Sequence, residues 1–372
     1  MKITINRDTF AKAFNTAQTV APSRSPKPIL QNLRLDATEE GVFLMATDME
    51  VGARIEVEGV EVHAVGSVIL PLPRFGKILK ESTETHLKLS TTKAGTVVKS
   101  GNSKFTLQSE DPAEFPDVQG FTETKYHEVN SKDLKQLIRR TLFASDMESG
   151  RYALGGVLLE MESDKIVAVA TDGRRLAKME CNAVSVEDHG NNENMTIIPS
   201  RAMQLIERAL FDIDDTVKVS TNNNSILVCA GNATIYARLV EGRFPKWKDV
   251  LPDKDETNAI TMDIAPMSSG LRQAAIVASD ESRGVDFSFG NNKATMSIQT
   301  AEVGQSDIEV PIEYDGEHME ITMDHRFVTD FFRSLDSRRQ FKLYMSDQDT
   351  SALFTTDDDY EYVVMPLARD RG

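Results

Sequence analysis

The chain repeats itself at an interval of about 124 residues, and this repeat restricts its possible folds more than any other feature. The tripeptide Ala46-Thr47-Asp48 recurs as Ala170-Thr171-Asp172, each time after an apolar run that is typical of a β-strand. In the second copy Gly173 follows, and an Asp-Gly pair after such a run favours a strand that ends in a turn. A single core stops growing near roughly 250–300 residues. The 372 residues therefore predict three similar domains.

Each repeat is predicted to open with a strand that leads into a capped helix. Asn6, Asn130 and Asp263 stand at corresponding positions before apolar residues with helical spacing. Their side chains can accept hydrogen bonds from the free backbone N–H groups at the start of a helix. A second helix follows in each repeat. The segment ITMD occurs at 260–263 and again at 321–324, which indicates that each repeat is itself a doubled strand-helix-strand motif. The second helices carry an arginine in the first turn, at Arg74, Arg201 and Arg326.

Short strand-like runs with turn residues fill the space between the predicted helices. Many strands with only two helices per repeat are typical of an α+β domain, in which the helices pack on antiparallel sheet. Phe-Pro turns and the polar stretches at 122–125 and 253–258 mark the borders. The predicted domains cover residues 1–121, 126–251 and 258–372.

The net charge of −16 opposes binding to nucleic acid on average, but the sign is not uniform along the chain. Each predicted helix carries a net positive charge, so the strands and loops hold the acidic excess. If the helices share one face, that face can hold a phosphate backbone without reading bases. The alternative interpretation is that these lysines and arginines belong to ordinary solvated helix surfaces.

Two cysteines, Cys181 and Cys229, stand in apolar surroundings, which favours small buried side chains in a reducing compartment. The sequence shows no signal-peptide pattern, and no apolar run approaches the roughly 20 residues of a membrane span. We therefore expect a soluble, cytoplasmic protein without a membrane partner.

Short motifs in a fixed order carry a resemblance to a known family. They are residues 28–33 (PILQNL), Arg151-Tyr152, 171–176 (TDGRRL), 241–245 (EGRFP), 250–252 (VLP), 283–285 (RGV) and 362–367 (YVVMPL). In this order the chain resembles the bacterial DNA polymerase III β subunit family, the sliding clamps, over its whole length. The resemblance implies a head-to-tail homodimer whose six domains close a ring around duplex DNA, with helices lining the hole. It implies no catalysis, cofactor or metal.

The resemblance also implies the partners. The family binds duplex DNA without regard to sequence and tethers the DNA polymerase III α subunit, which raises processivity. The clamp loader and other proteins with a clamp-binding motif are further expected partners. The DNA-contacting positions carry over as Arg24 and as Tyr152 beside Arg151. Three positions depart from the family pattern. Glu148 stands where relatives often have a polar amide, Ala153 where an aromatic residue can occur, and Pro73 where a basic residue is usual. The residue next to Pro73, Arg74, is basic.

A partner-peptide pocket is the second site that the resemblance implies. A small apolar cleft with a flexible methionine suits several related peptides. Arg174 replaces a frequent histidine, and the tail at 368–372 is longer than usual. The alternative is that VVMPL is only a buried edge strand. The expected pocket residues are Thr171, Gly173, Arg174, Arg175, Leu176, Pro245, Val250, Val363, Met365, Pro366 and Leu367.

The third expected site is the dimer seam. An edge strand with Phe105 and Leu107 is predicted to meet Ile276 and Val277 of the other subunit, which would extend one sheet across the seam. Arg74 and Lys104 would face Asp280 or Glu302. The alternative interpretation of the four apolar residues is plain core.

Two rival functions stand beside the clamp. An enzyme is indicated only weakly, because Asp357-Asp358-Asp359 reads as a solvated turn, and the six histidines show no ligand spacing. The other rival is a monomeric β-rich peptide-binding protein without DNA association. The histidines considered as bases are His63, His86, His127, His189, His318 and His325.

Overall fold

The computed structural model describes residues 1–93, 95–146, 152–190, 195–210, 215–256, 259–300 and 303–367. The first third contains β1 (Lys2–Asn6), α1 (Arg7–Gln18), β2 (Leu33–Ala37), β3 (Val42–Thr47), β4 (Val51–Glu56), β5 (Glu61–Ala64), β6 (Gly66–Leu70), α2 (Leu72–Glu81), β7 (His86–Thr92), β8 (Gly95–Ser100) and β9 (Ser103–Leu107). The second contains β10 (Tyr126–Asn130), α3 (Ser131–Thr141), β11 (Gly156–Met161), β12 (Lys165–Thr171), β13 (Arg175–Val186), β14 (Thr196–Pro199), α4 (Ser200–Ala209), β15 (Thr216–Thr221), β16 (Ser225–Ala230) and β17 (Ala233–Arg238). The last contains β18 (Ile260–Asp263), α5 (Ile264–Ala274), β19 (Gly284–Gly290), β20 (Lys293–Thr300), β21 (Gly304–Pro311), β22 (Met319–Asp324), α6 (His325–Arg333), β23 (Gln340–Tyr344), β24 (Ala352–Thr355) and β25 (Glu361–Val364).

The order of these elements is periodic at two levels. A strand and a helix are followed by three strands, and the same order occurs twice in every third of the chain. The first third adds one strand, β5. The predicted α+β class and the doubling inside each repeat are therefore confirmed. Among the described residues, no helix is both long and apolar enough to cross a membrane.

The predicted helix caps are confirmed at two of three positions. The Asn6 side chain accepts hydrogen bonds from the backbone N–H groups of Asp8 and Thr9, and Asn130 accepts one from Lys132. Asp263 does stand at the start of α5, but its carboxylate accepts from the Gln340 side chain at 2.9 Å instead. The prediction for the Asp263 side chain is wrong because a polar group on the neighbouring strand β23 competes for it.

The contacts divide the described chain into two compact units. The first comprises Met1–Lys135, Met161–Asp164 and Asn182–Leu239, and the second comprises Gln136–Glu160, Lys165–Cys181 and the residues from Val240 onward. Cys181 and Cys229 form no disulfide and are only partly buried, which corrects the expectation of buried thiols. The degree of burial still suffices to raise the pKa of Cys229.

The first unit is built on antiparallel sheet. One sheet has the strand order β5-β1-β7-β8-β9, so that β5 and β9 are its edges. A second run has the order β10-β15-β16-β17-β4-β3-β2-β6, and residues 183–186 of β13 pair with β10. The helices α1 and α2 pack together through aromatic side chains, since the Phe75 ring lies 5.7 Å from the rings of Phe10 and Phe14.

The second unit contains two further antiparallel arrangements. One has the order β18-β23-β24-β25, and β25 also pairs with residues 175–178 of β13. The other is a four-stranded sheet of order β21-β20-β19-β22. Phe331 of α6 lies at the centre of an aromatic core, where its ring is 5.1 Å from that of Phe354 and 5.5 Å from that of Tyr362.

The repeated Thr-Asp motif forms the same turn in both copies. The Thr47 hydroxyl donates to the Val51 carbonyl at 2.8 Å, and the Thr171 hydroxyl donates to the Arg175 carbonyl at 2.6 Å. Asp48 and Asp172 each accept two backbone N–H groups from the residues two and three positions later. The residue after each aspartate has a positive φ, +84° at Met49 and +88° at Gly173. The predicted strand-to-turn transition is therefore confirmed.

The acidic triple contains one residue that the sequence misjudged. Asp357 is exposed, as expected of a solvated turn, but Asp358 joins several partners in the second unit. Its carboxylate lies 2.8 Å from the Arg140 guanidinium and 3.1 Å from the Gln136 amide, and it also pairs with Arg339. Burial by itself would raise the pKa of Asp358. Hydrogen bonds from Thr356, Arg339 and Arg140 outweigh burial and hold the pKa at about 2.

We predict that Asp358→Asn lowers the free energy of unfolding by about 2–4 kcal/mol, because the buried Arg140 loses its counter-ion. Urea unfolding at pH 7 measures this loss. The folded-state pKa lies below the unfolded value near roughly 3.9, so the contribution is complete above that value and disappears as the pH falls toward 2. Asp358→Asn should lack that acid dependence.

The matched control is Asp357→Asn, one residue away on a side chain that is 83 % exposed. Exposed ion pairs contribute little, so the change should stay below about 0.5 kcal/mol. Equal losses in the two variants would contradict the role of Asp358.

Candidate partner-binding site

Nine of the eleven expected pocket residues lie in the second unit on three connected segments. The turn after β12 leads into β13, and β13 pairs with β25, so that Arg175 lies opposite Val364 and Leu176 opposite Val363. The chain beyond β25 stays attached, because the Met365 N–H donates to the Arg174 carbonyl at 2.9 Å and the Leu367 N–H donates to the Thr322 carbonyl at 2.8 Å. The structure thus brings the Thr-Asp turn and the YVVMPL segment together. The residues concerned are Thr171, Gly173, Arg174, Arg175, Leu176, Val363, Met365, Pro366 and Leu367.

Burial separates these residues into a floor and a rim. Leu176 is 3 % exposed and Val363 is also buried, whereas Met365 is 44 % exposed and Leu367 is similarly open. Pro366 between them is partly buried. The surface therefore offers a flexible apolar rim above a packed apolar floor, which is a suitable arrangement for apolar side chains of a peptide.

Arg175 holds the candidate site together. Its guanidinium donates to Asp172 at 3.0 Å, to Asp330 at 2.6 Å and to the Phe143 carbonyl at 2.8 Å. It also lies 4.6 Å from the centre of the Phe327 ring. Burial would lower the pKa of Arg175, but Tyr362 and the two carboxylates raise it above its ordinary value. Arg175 therefore braces the turn after β12 against Phe143 and α6 within the second unit.

Two other expected residues have distinct places. Thr171 is buried and its hydroxyl is used inside the turn, so it shapes the turn from below. Arg174 is exposed, and its guanidinium lies 5.7 Å from the centre of the Phe327 ring. Arg174 therefore supplies a positive charge at the rim of the floor.

Pro245 and Val250 lie in the same unit but are not joined to the floor. Both are exposed, and they flank the buried Trp247, whose indole N–H donates to Glu160 at 3.2 Å. Within the described part of the chain, no hydrogen bond or strand pair connects either residue to Leu176 or Met365.

The expected DNA-contacting residues are only partly described. Arg24 is exposed in the loop after α1, and Arg74 is exposed in the first turn of α2. The backbone of Tyr152 begins a short 3₁₀ turn that contains the partly buried Ala153. Glu148 and Arg151 lie outside the described residues.

The expected seam residues are distributed over the two units. In the first unit, β9 is an edge strand that carries exposed Lys104 and Phe105, whereas Leu107 is 7 % exposed and packs inside the unit. In the second unit, Ile276 is 76 % exposed in the 3₁₀ turn after α5, and Val277 is partly buried. Asp280 is exposed, and Glu302 lies outside the described residues.

The sequence did not reveal a polar groove of about 720 Å³ on β18, β23, β24 and β25. Its charges pair with one another: Lys342 lies 2.8 Å from Glu256, and Lys254 lies 2.6 Å from Glu361. This groove is lined by salt-bridged charges together with Phe341, Tyr344 and Tyr360. Among the described residues, no group of three or more His, Cys, Asp or Glu side chains is arranged to hold a metal ion.

Comparison with known proteins identifies the family. The family models of the DNA polymerase III beta subunit match in order along the chain, the N-terminal domain at residues 1–119, the central domain at 128–246 and the C-terminal domain at 248–368. The chain belongs to the DNA polymerase III beta subunit family, a class of non-catalytic sliding clamps. The resemblance drawn from the motifs is therefore confirmed, and the enzyme and the monomeric peptide-binding protein are not favoured.

Individual relatives agree over the full length. The beta sliding clamp of Chlamydia muridarum is 28 % identical over 370 residues, which cover 99 % of both chains. That of Pseudomonas putida is 27 % identical over 371 residues, covering 99 % of this chain and 100 % of the relative. The solved structure of the DNA polymerase III subunit beta from Pseudomonas aeruginosa has a TM-score of 0.89 at 26 % identity, covering 99 % of this chain and 100 % of the other.

We predict that Arg175→Lys lowers the free energy of unfolding by about 2–3 kcal/mol. A lysine ammonium cannot reproduce a planar fork that reaches two carboxylates and a carbonyl, so buried acceptors lose their donors. Urea unfolding gives the value. Arg174→Lys changes the neighbouring, exposed arginine and should cost less than about 0.5 kcal/mol. A loss at residue 174 as large as that at residue 175 would contradict the positioning role.

Proposed function

We propose that this chain is one half of a ring-shaped homodimer that encircles duplex DNA and tethers the replicative DNA polymerase to it. The observation that carries the proposal is the ordered match of three clamp-domain models along one chain. The proposed domains are residues 1–121, 126–251 and 258–372. Because the template is chromosomal DNA, the proposed site of action is the cytoplasm.

The ring would be closed by a head-to-tail seam between copies of the chain. Exposed Phe105 and Lys104 on the edge strand β9 offer one half of the seam, and exposed Ile276 offers the other. A heterologous interface that closes makes a ring, and pairing of two edge strands removes their open hydrogen-bonding groups. Val277, Leu107 and Arg74 complete the proposed seam.

Contact with DNA would be weak and independent of sequence. Arg24 and Arg74 are exposed, and their guanidinium groups suit phosphate oxygens. Arg151 and Tyr152 are proposed to add contacts, with Glu148 and Ala153 beside them. The net charge of −16 disfavours tight binding to DNA. Encirclement of the duplex by the ring, and not electrostatic attraction, would therefore keep the protein on DNA.

The polymerase would bind through a short peptide on the floor and rim around Leu176 and Met365. Met365 and Leu367 form an adaptable apolar rim, and Pro366, Pro245 and Val250 are proposed to extend it. The DNA polymerase III α subunit, the clamp loader and other proteins with a clamp-binding motif are the proposed occupants, because one adaptable apolar site suits related peptides.

Retention on circular DNA tests the ring. We predict that the protein, loaded on a nicked circle by its clamp loader, stays bound until the circle is cut. Ile276→Asp places a charge in the proposed seam and should give monomers in sedimentation and no retention. Val184→Asp makes the same change at an exposed valine outside the seam and should leave both properties intact. Dimers of Ile276→Asp, or retention after the circle is cut, would contradict the proposal.

Peptide affinity tests the partner site separately. We predict that Leu176→Ala and Met365→Ala each weaken binding of a polymerase-tail peptide about tenfold, because each removes apolar contact area, while the protein remains dimeric. Calorimetric titration measures the affinity. Met195→Ala, at another exposed methionine, is the control and should bind normally. Normal affinity in both test variants would exclude this surface.

A further inference from the structure

Two histidines that show no sequence spacing meet inside the first unit. His127 of β10 is fully buried and His189 nearly so, and their Nδ1 atoms lie 2.6 Å apart. The rings are 4.9 Å apart between centroids and inclined by 70°. The two residues are 62 positions apart in the chain. Neither histidine belongs to the expected DNA, peptide or seam sites.

The outer nitrogens determine which ring atoms carry protons. The Nε2 atom of His127 lies 2.6 Å from the Glu162 carbonyl oxygen, which can only accept, so His127 carries its proton on Nε2. The Nε2 atom of His189 lies 3.1 Å from the backbone N–H of Thr221, which can only donate, so that nitrogen is bare. His189 therefore carries its proton on Nδ1 and donates it to the bare Nδ1 of His127. All four ring nitrogens have partners when both rings are neutral.

A third proton has no suitable place in this arrangement. On Nδ1 of His127 it would oppose the N–H of His189 across 2.6 Å. On Nε2 of His189 it would oppose the backbone N–H of Thr221, and the Thr221 hydroxyl at 3.4 Å is too distant to compensate. The charged form is also disfavoured by the surroundings. Burial lowers the pKa of His189 most. The neighbouring His127 and Lys125, which lies just before β10, lower it further.

The pair secures a strained turn. Glu187 and Asp188 follow β13 with φ values of +53° and +54°, a region that residues other than glycine rarely adopt. His189 closes this turn, because its N–H donates to the Val186 carbonyl at 3.2 Å and its carbonyl accepts from the Ser185 hydroxyl at 2.7 Å. The ring of His189 then connects the turn to β10 through His127 and to β15 through Thr221.

We propose that His127 and His189 form an acid-operated latch, which fastens the turn at 186–189 to β10 and β15 when both rings are neutral and releases it when His189 takes up a proton. The groups that act on the latch are His127, His189 and Lys125, together with the backbone of Glu162 and Thr221. The acidic side chains Glu187 and Asp188 belong to the turn that is released.

The sign of the pH dependence follows from linkage. A histidine that is neutral in the latched state and titrates near roughly 6.5 once released binds more protons in the open state. Latching is therefore complete above that pH and weakens as the pH falls. Between pH 7.5 and 5.5 the opening constant should rise about tenfold, because His189 is held neutral in the latched state.

Hydrogen exchange and a matched variant test the latch. In the full-length protein, the opening constant for the amides of residues 126–129 and 186–190 should rise about tenfold or more as the pH falls from 7.5 to 5.5. The measured rates are first corrected for the intrinsic exchange rate. His189→Gln keeps an acceptor for Thr221 but cannot titrate, so this rise should be absent. His86→Gln, on an exposed histidine of β7, should behave as the unchanged protein. An equal rise in His189→Gln would overturn the proposal.

A spectroscopic readout does not depend on whether the variant folds. Nitrogen-15 spectra of histidine in the unchanged protein at pH 7.5 should show one of these rings protonated on Nε2 and the other, His189, on Nδ1, with His189 resisting titration down to pH 6. Two rings of the same tautomer, or titration of His189 near 6.5, would refute the latch.

Discussion

The guanidinium of Arg175 joins segments that the chain order keeps apart, and the candidate partner site depends on this contact. Asp172 is its near neighbour, but the Phe143 carbonyl and the Asp330 carboxylate come from elements 32 residues before it and 155 residues after it. A buried cation is tolerated only if its donors find acceptors, so the charge itself enforces the geometry. The floor formed by Leu176 and Val363 is consequently packed and fixed, whereas Met365 at the rim is exposed and can adapt to the proposed peptide.

The two copies of the Thr-Asp turn show how a repeat acquires different roles. The hydrogen bonds inside the turn are the same in both copies, but the Oδ2 atom of the aspartate forms an ion pair with a different arginine in each. Asp48 lies 2.5 Å from Arg201 of α4, whereas Asp172 is bound by Arg175 from its own turn. Arg326, which corresponds to Arg201, pairs instead with Asp324 at 2.5 Å. The aspartate of the first turn thus binds a neighbouring helix, whereas the aspartate of the second binds the arginine that braces the candidate partner site.

The sequence predicted the structural features that depend on residues close to one another in the chain. The capped helix starts at Asn6 and Asn130 and the turn after Asp172 agree with the structure. The strand β5 was missed because all four of its residues are exposed and show no alternation. Asp358 and the His127–His189 pair were missed for another reason: their partners lie far away in sequence, and no spacing rule reports such contacts. The motifs did lead to Arg175, but its positioning role became visible only from its three acceptors.

The polar contacts inside the two units are lost at different pH values. The Asp358 contacts in the second unit persist until the carboxylate is protonated, and the pKa of Asp358 is about 2. The histidine pair in the first unit depends on neutral rings, whose ordinary pKa is roughly 6.5. A fall in pH should therefore loosen the turn at 186–189 of the first unit while the Arg140–Asp358 contacts of the second unit are intact. Since β10 directly follows the polar stretch at 122–125, the earliest acid response would lie at the start of the central repeat.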